Sequence, residues 1–133
     1  MTYAVLADVG PLYAAVDPED AHHKRAVRDM RRLDQEGRET VVANSTLLEA
    51  YSLVLFRLGK STATEWLTDI AGASLINPSP EDYRLAAAKL RGLADQPITL
   101  FDAVAAAVAT RLRLEVWTYD HHFDVMRVPV WRG

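Results

Sequence analysis

Apolar residues along this chain follow two rhythms, short unbroken runs and a three-to-four spacing, and the two alternate. Tyr3 to Ala7 is an apolar run of strand length that stops at Asp8, and Gly10-Pro11 then punctuates the chain before Leu12 to Val16, which reads as a strand followed by a turn. Pro18, Glu19 and Asp20 make a helix start, and Ala26, Val27, Met30 and Leu33 keep helical spacing until Gly37. Thr40 to Ala43 is short, β-branched and apolar, a second strand. Asn44 or Ser45 can cap the next helix, whose apolar positions Leu47, Tyr51, Val54, Leu55 and Leu58 precede Gly59. Thr62 and Glu65 have capping-box spacing for a helix running to about Ile70, and Ser74 to Asn77 looks like a short strand. Ser79-Pro80-Glu81-Asp82 starts another helix, with Tyr83, Ala86, Ala87 and Leu90 as its buried stripe. Thr99 and Asp102 repeat the capping spacing before an alanine-rich helix, Ala103 to about Arg111, apolar around most of its circumference and therefore central. Glu115 to Tyr119 is the next strand, ending at Asp120, and Arg127 to Trp131 is a last one, which Pro129 places at a sheet edge.

Strands alternating with helices imply a mainly parallel sheet covered on both faces, because parallel neighbours need crossover connections. The expected fold class is α/β. A length of 133 residues fits one domain spanning 1–133. Half of the residues are hydrophobic and a quarter charged, the balance of a chain that folds rather than a disordered one. The absence of cysteine excludes disulfides, thiolate metal sites and cysteine nucleophiles. Met1 to Asp8 lacks a basic region and a long apolar segment, and the longest apolar stretch, Ala103 to Ala109, is too short to span a bilayer. A cytoplasmic protein with no membrane association is the expectation.

A net charge of −3 argues against a protein that holds nucleic acid by charge alone, without excluding a metal-dependent nuclease whose cations offset an acidic centre. The charge is uneven: Lys24, Arg25, Arg28, Arg31, Arg32 and Arg38 fall in one stretch, either a solvated helix face or an edge that contacts phosphates.

Open parallel sheets gather ligands beyond the carboxyl ends of their strands. Asp8 and Asp120 each end a predicted strand there, and Glu49 and Asp102 lie in the first turns of helices that begin at the same edge. Like charges brought that close repel unless protonated or neutralised, so four converging acids suggest a divalent cation, and an all-oxygen set suits Mg²⁺ or Mn²⁺ better than zinc. Each acid also has a plain structural role open to it. Asp102 can be the reciprocal acid of a capping box, and Asp8 and Asp120 can bond the local backbone as turn residues. Glu49 stands among Leu47, Leu48, Ala50 and Tyr51, where an unpaired carboxylate is costly to bury. Adjacent residues point in different directions, so neither His22-His23 nor His121-His122 is a chelate by itself, and none of the four is expected in catalysis, although His122 is near enough to contact substrate. Trp66, Trp117 and Trp131 read as core or interface anchors.

At these acids the sequence resembles the PIN-domain family, and within it the VapC-like ribonuclease toxins of toxin–antitoxin pairs. Leu6-Ala7-Asp8-Val9-Gly10-Pro11-Leu12 looks like the family's first acidic motif, followed at a familiar distance by Asp20-Ala21-His22-His23; Leu47-Leu48-Glu49-Ala50 resembles the second, Thr99-Leu100-Phe101-Asp102-Ala103 the third and Trp117-Thr118-Tyr119-Asp120-His121-His122-Phe123 the fourth. Val9 departs from the hydroxyl residue that many relatives carry beside the first acid, which puts a supporting hydrogen bond in doubt.

The resemblance implies a PIN-like three-layer α/β/α sandwich and hydrolysis of RNA phosphodiester bonds by water activated on Mg²⁺ or Mn²⁺. It implies Asp8 and Asp102 as direct ligands, Asp120 as a ligand directly or through water, and Glu49 as a ligand or positioner of the attacking water; Thr118 can orient a carboxylate or simply be a strand threonine. A cognate VapB-like antitoxin, which covers a hydrophobic groove, and a homodimer are the implied partners. Helices Asn44 to Leu58 and Ser61 to Ile70, bearing Tyr51, Phe56 and Trp66, carry enough large apolar residues for such an interface or for the core. Two rival functions fit the chain less well. A haloacid-dehalogenase-like phosphatase needs a second aspartate two positions after the first, where Gly10 stands. A catalytically inactive RNA- or protein-binding module would have to tolerate four unneutralised acids.

Overall fold

The computed structural model of the chain describes residues 4–133, so Tyr3, the predicted start of the opening strand, lies outside the described residues. Strands β1 (Ala4–Ala7), β2 (Glu39–Ala43), β3 (Ser74–Ile76) and β4 (Glu115–Trp117) form one sheet in the order β3-β2-β1-β4. Every pairing is parallel; Leu6 lies opposite Val41 on one side and Val116 on the other. Helices α1 (Val9–Ala14), α2 (His23–Gln35), α3 (Asn44–Leu58), α4 (Lys60–Ile70), α5 (Pro80–Arg91), α6 (Leu100–Leu112) and α7 (His122–Val125) flank it.

The alternation of side chains along β1 divides the interior in two. Leu6 packs with Val104, Ala105 and Val108 of α6 and with Phe123, whereas Val5 and Ala7 pack on the opposite face with Leu12, Leu33, Val54, Trp66 and Trp117. This is the expected α/β/α sandwich. Leu6, Val54 and Phe123 are fully buried, each contributing about 1.5–3 kcal/mol of hydrophobic stabilisation. The alanines of α6 are buried almost throughout, as its apolar circumference predicts. All three tryptophans are buried and belong to the core.

Six local expectations are corrected. The segment after Asp8 is helix α1 rather than a turn: Pro11 sits in its first turn, where no N–H is needed, and Leu12, Tyr13 and Ala14 are buried. Helix α2 begins at His23, five residues beyond Pro18, because Asp17 and Asp20 accept hydrogen bonds from the backbones of Glu19 and His22 and hold that stretch in turns. Neither Asn44 nor Ser45 caps α3, which already includes both, and Thr62 and Glu65 form no capping box because α4 is under way from Lys60, after Gly59 at φ 89°. Tyr83 is exposed rather than part of the buried stripe of α5, whose inward positions are Asp82 and Ala86. Finally, Arg127 to Trp131 makes one parallel bridge, Val116 to Val130, instead of a strand. Arg127 is in the left-handed region and Pro129 has no N–H to extend the ladder. Among the described residues no helix is long and apolar enough to cross a membrane.

The chain runs from β1 to β2 and β3 on one side, then returns with β4 on the other side of β1. Strand order therefore reverses between β1 and β4, and the crevice beyond their carboxyl ends is where an open parallel sheet holds a ligand.

Candidate metal centre

Two aspartates enter this crevice directly from strands. Asp8 follows β1 and is 3% exposed; its Oδ2 accepts a hydrogen bond from Thr118 Oγ1 at 2.9 Å. Thr118 stands directly after β4, and its hydroxyl reaches Asp8 although residue 9 is a valine with none to offer. Asp120 stands two residues further on, exposed, in a turn closed by the His122 backbone N–H, which donates to Asp120 Oδ1 at 2.8 Å.

The other two acids arrive on helices. Asp102 is buried at the third position of α6, in a reciprocal capping box: its backbone N–H donates to Thr99 Oγ1 and its Oδ2 accepts from the Thr99 backbone N–H at 3.1 Å. Glu49, in the second turn of α3, is half-buried. The plain structural roles of Asp102 and Asp120 are therefore realised, and each occupies only one carboxylate oxygen. Oδ1 of Asp102 and Oδ2 of Asp120 take no hydrogen bond from any described residue.

The four acids share one electrostatic environment. Burial pushes the Asp8 carboxyl up from 3.8 to about 7; hydrogen bonds from the Val9 backbone and Thr118 oppose this, and the charges of Asp120 and Asp102 add to it. Glu49 is pushed up from 4.5 to about 7, first by burial and then by Asp8, Asp102 and Asp120. No lysine or arginine is among the groups acting on either one. A cation from outside the chain would relieve both.

The tightest grouping holds a residue that was not expected in it. Ligand atoms of Asp102, Asp120 and His122 all lie within 4.8 Å of one another, a donor set that could hold a metal ion, while Asp8 and Glu49 stand outside that radius. His122 Nδ1 is 3.0 Å from Asp102 Oδ2 and 3.7 Å from Asp120 Oδ1. The sequence signal was the spacing Asp-x-His after a strand, which an aspartate turn folds back on itself. The other histidines stand apart from this group. His23 Nδ1 bonds the Ala14 carbonyl at 2.7 Å, His22 packs on Tyr119, and His121 is exposed against His122.

A buried carboxylate on α2 braces the segment that carries Thr118 and Asp120. Asp29 Oδ2 accepts from Tyr119 Oη at 2.7 Å and from Trp117 Nε1 at 3.3 Å, and the Arg25 guanidinium lies 4.2 Å over the Tyr119 ring. Lys24, Arg25, Arg28, Arg31 and Arg32 are exposed along α2, whereas Arg38 pairs with Glu36 at 3.1 Å and with Glu115 at 2.7 Å.

No curated protein sequence matches the chain. Its shape is similar to that of VapC20 of Mycobacterium tuberculosis, a sarcin-ricin loop cleaving toxin, at 18% identity and a TM-score of 0.84, over 97% of this chain and 99% of that one. VapBC2 from Rickettsia felis, solved bound to a DNA fragment from its promoter, gives 13% identity and a TM-score of 0.74, covering 97% of both chains. FitAcB from Neisseria gonorrhoeae gives 19% and 0.70, covering 96% of both. These likenesses establish the fold. The PIN domain profile matches residues 5–129, from β1 through the turn that carries Asp120 and on past α7, and the chain belongs to the PIN-domain family.

Proposed function

We propose that the chain is a Mg²⁺- or Mn²⁺-dependent endoribonuclease and the toxin of a toxin–antitoxin pair, cutting cytoplasmic RNA and so inhibiting translation. One observation carries this reading: four carboxylates, Asp8, Glu49, Asp102 and Asp120, act on one another in a single crevice, where burial and their mutual charge push Asp8 and Glu49 up with no basic side chain among the groups acting on them. Such a pocket is stable and useful at neutral pH when a divalent cation enters it. The donor set is carboxylate oxygens with one imidazole nearby, which fits Mg²⁺ or Mn²⁺.

When bound, such an ion lowers the pKa of a water, polarises the phosphoryl oxygen and stabilises the leaving oxygen. In this reading Asp8 and Asp102 would hold the ion, Asp120 would hold it directly or through water, and Glu49 would be a further ligand or position the attacking water. Thr118 keeps Asp8 in place through the bond to its Oδ2. Arg25 and Arg28 at the exposed edge of α2 supply positive charge for the RNA backbone, Arg25 through its seat on Tyr119 beside Asp120.

The partners in this reading are RNA, a cognate VapB-like antitoxin and a second copy of the chain. Two apolar grooves suit protein partners. One, of about 450 Å³, is lined by Leu48, Tyr83, Leu100 and Phe101 beside Glu49 and Asp102; the other, of about 480 Å³, by Leu12, Val16, Met30 and Trp66.

The test is to incubate the purified protein, freed of copurifying inhibitor, with total bacterial RNA in Mn²⁺ or Mg²⁺ and to sequence the new ends, with EDTA and Asp8→Asn controls. Discrete cuts lost in both controls are expected. The sarcin–ricin loop is the first RNA to inspect, since the M. tuberculosis toxin of similar shape cleaves it. Cutting that survives Asp8→Asn would remove Asp8 from the site.

A further inference from the structure

His122 touches two of the acids through two different groups. Its backbone N–H donates to Asp120 Oδ1 at 2.8 Å, and its ring Nδ1 lies 3.0 Å from Asp102 Oδ2. The side chain is largely buried, at 17% exposed, where α7 begins. Asp102 Oδ2 also accepts from the Thr99 backbone, so that one oxygen meets two donors while Oδ1 meets none among the described residues.

We propose that His122 is a positioning residue of the metal centre: from one place in the chain it fixes Asp102 with its ring and Asp120 with its backbone, leaving Oδ1 of Asp102 and Oδ2 of Asp120 as the oxygens offered to a divalent cation. This rests on the metal-site reading above and extends it to a residue outside the four acids.

The hydrogen-bond chemistry sets the role. Against a carboxylate oxygen the ring nitrogen acts as an N–H donor, which places the proton on Nδ1 and removes the lone pair with which that atom would bind a cation. Asp102 and Asp120 come from different elements, α6 and the turn after β4, and each could rotate about its own side-chain bonds. A shared donor removes that freedom before the ion arrives, and outer partners of this kind are worth about 10–100-fold in metal affinity. His121 serves as a built-in control, since it is exposed and its ring meets His122 edge-on, with no hydrogen bond to either aspartate.

The test is a Mn²⁺ titration followed by electron paramagnetic resonance on the wild-type chain and the variants His122→Ala, His122→Asn and His121→Ala. Asparagine is informative because its amide nitrogen occupies the place of Nδ1 and still donates. His122→Ala should weaken Mn²⁺ binding about 10–100-fold, His122→Asn should keep most of the affinity, and His121→Ala should match wild type. Pulsed measurements on the wild-type Mn²⁺ complex should show no imidazole nitrogen coupling. Wild-type affinity in His122→Ala, an affinity in His122→Asn far below wild type, or a nitrogen coupling that marks the ring as a ligand would each overturn the proposal while leaving the acidic site intact. If His122→Ala does not fold, the asparagine variant and the nitrogen coupling decide. Failure of the wild-type chain to bind Mn²⁺ would instead overturn the metal site itself.

Discussion

Two buried aspartates in this protein occupy the same local motif and meet opposite company. Asp82 and Asp102 each stand at the third position of a helix, α5 and α6, and each closes a reciprocal capping box with the residue three before it, Ser79 or Thr99. Beyond the box they diverge. Asp82 receives both guanidinium arms of Arg111, with Nη2 at 2.7 Å and Nε at 3.1 Å, and that pairing holds its carboxyl below the usual range. Asp102 meets His122 and adds its charge to those pushing Asp8 and Glu49 up. A capping box therefore says how a carboxylate is held and nothing about what it is for. The chain supplies a guanidinium for Asp82, whereas at Asp102 the partner is the His122 ring.

Exchanging the carboxylates for amides should separate the two regions most sharply. Asp102→Asn keeps the size and part of the cap, and RNA cleavage in Mn²⁺ should fall about 10²–10³-fold while the metal-free protein melts at an equal or higher temperature. Asp82→Asn should do the reverse, leaving cleavage near wild type and costing about 1–3 kcal/mol in denaturant unfolding, a figure reduced because Arg111 is 41% exposed. Equal effects of the two variants on both readouts would dissolve the distinction.

The next effect is on pH dependence. Asp8 and Glu49 titrate near 4 in the unfolded chain and near 7 in the fold, so between those values the folded state keeps protons that the unfolded chain has released. Metal-free protein should therefore lose stability as pH rises from about 4 to 7, by about 2–4 kcal/mol from Asp8 alone. The Asp82 pair works in the opposite sense, its contribution being lost as the solution becomes more acid than ordinary carboxyl groups. Unfolding curves at a series of pH values, in EDTA and then in Mn²⁺, would check this, and Mn²⁺ should flatten the loss near neutrality. A metal-free protein more stable at pH 8 than at pH 5 would contradict the acidic pocket.

The smallest change comes from Thr118→Val, which removes the hydroxyl that donates to Asp8 and accepts from the Asp120 backbone N–H at 3.3 Å. Mn²⁺ affinity should drop roughly tenfold, as for the loss of one hydrogen bond to a charged group. Calorimetric titration would measure it, and an unchanged affinity would make Thr118 an ordinary strand-end residue.

Reading the sequence located the elements that carry the acids better than the surroundings of the acids. Runs of β-branched and apolar residues at 4–7, 39–43 and 115–117 leave strands as the only compact choice, and the acids follow from where those runs stop. Capping boxes at Ser79 and Thr99 form, whereas the same spacing at Thr62 does not, because the break at Gly59 starts the helix three residues earlier than the motif requires. Helix α1 was hidden by Gly10-Pro11, a pair that reads as a turn until the burial of Leu12 and Tyr13 is known. His122 was legible only as half of an ambiguous pair, since its contact with Asp102 spans 20 residues and depends on how α7 meets α6. Tertiary partners of this sort are set by packing, which local pattern does not encode.

The bond between Thr118 and Asp8 joins positions 110 residues apart, and it has a consequence for biosynthesis. A chain emerging from the ribosome exposes Asp8 first and then Glu49 and Asp102, yet β4 must still arrive to close the sheet on the far side of β1. Until Thr118 and Asp120 are extruded, the earlier acids have no fourth wall. The four acids therefore come together only once β4 has paired with β1, so the last strand of the sheet to be made is also the one that completes the acidic crevice.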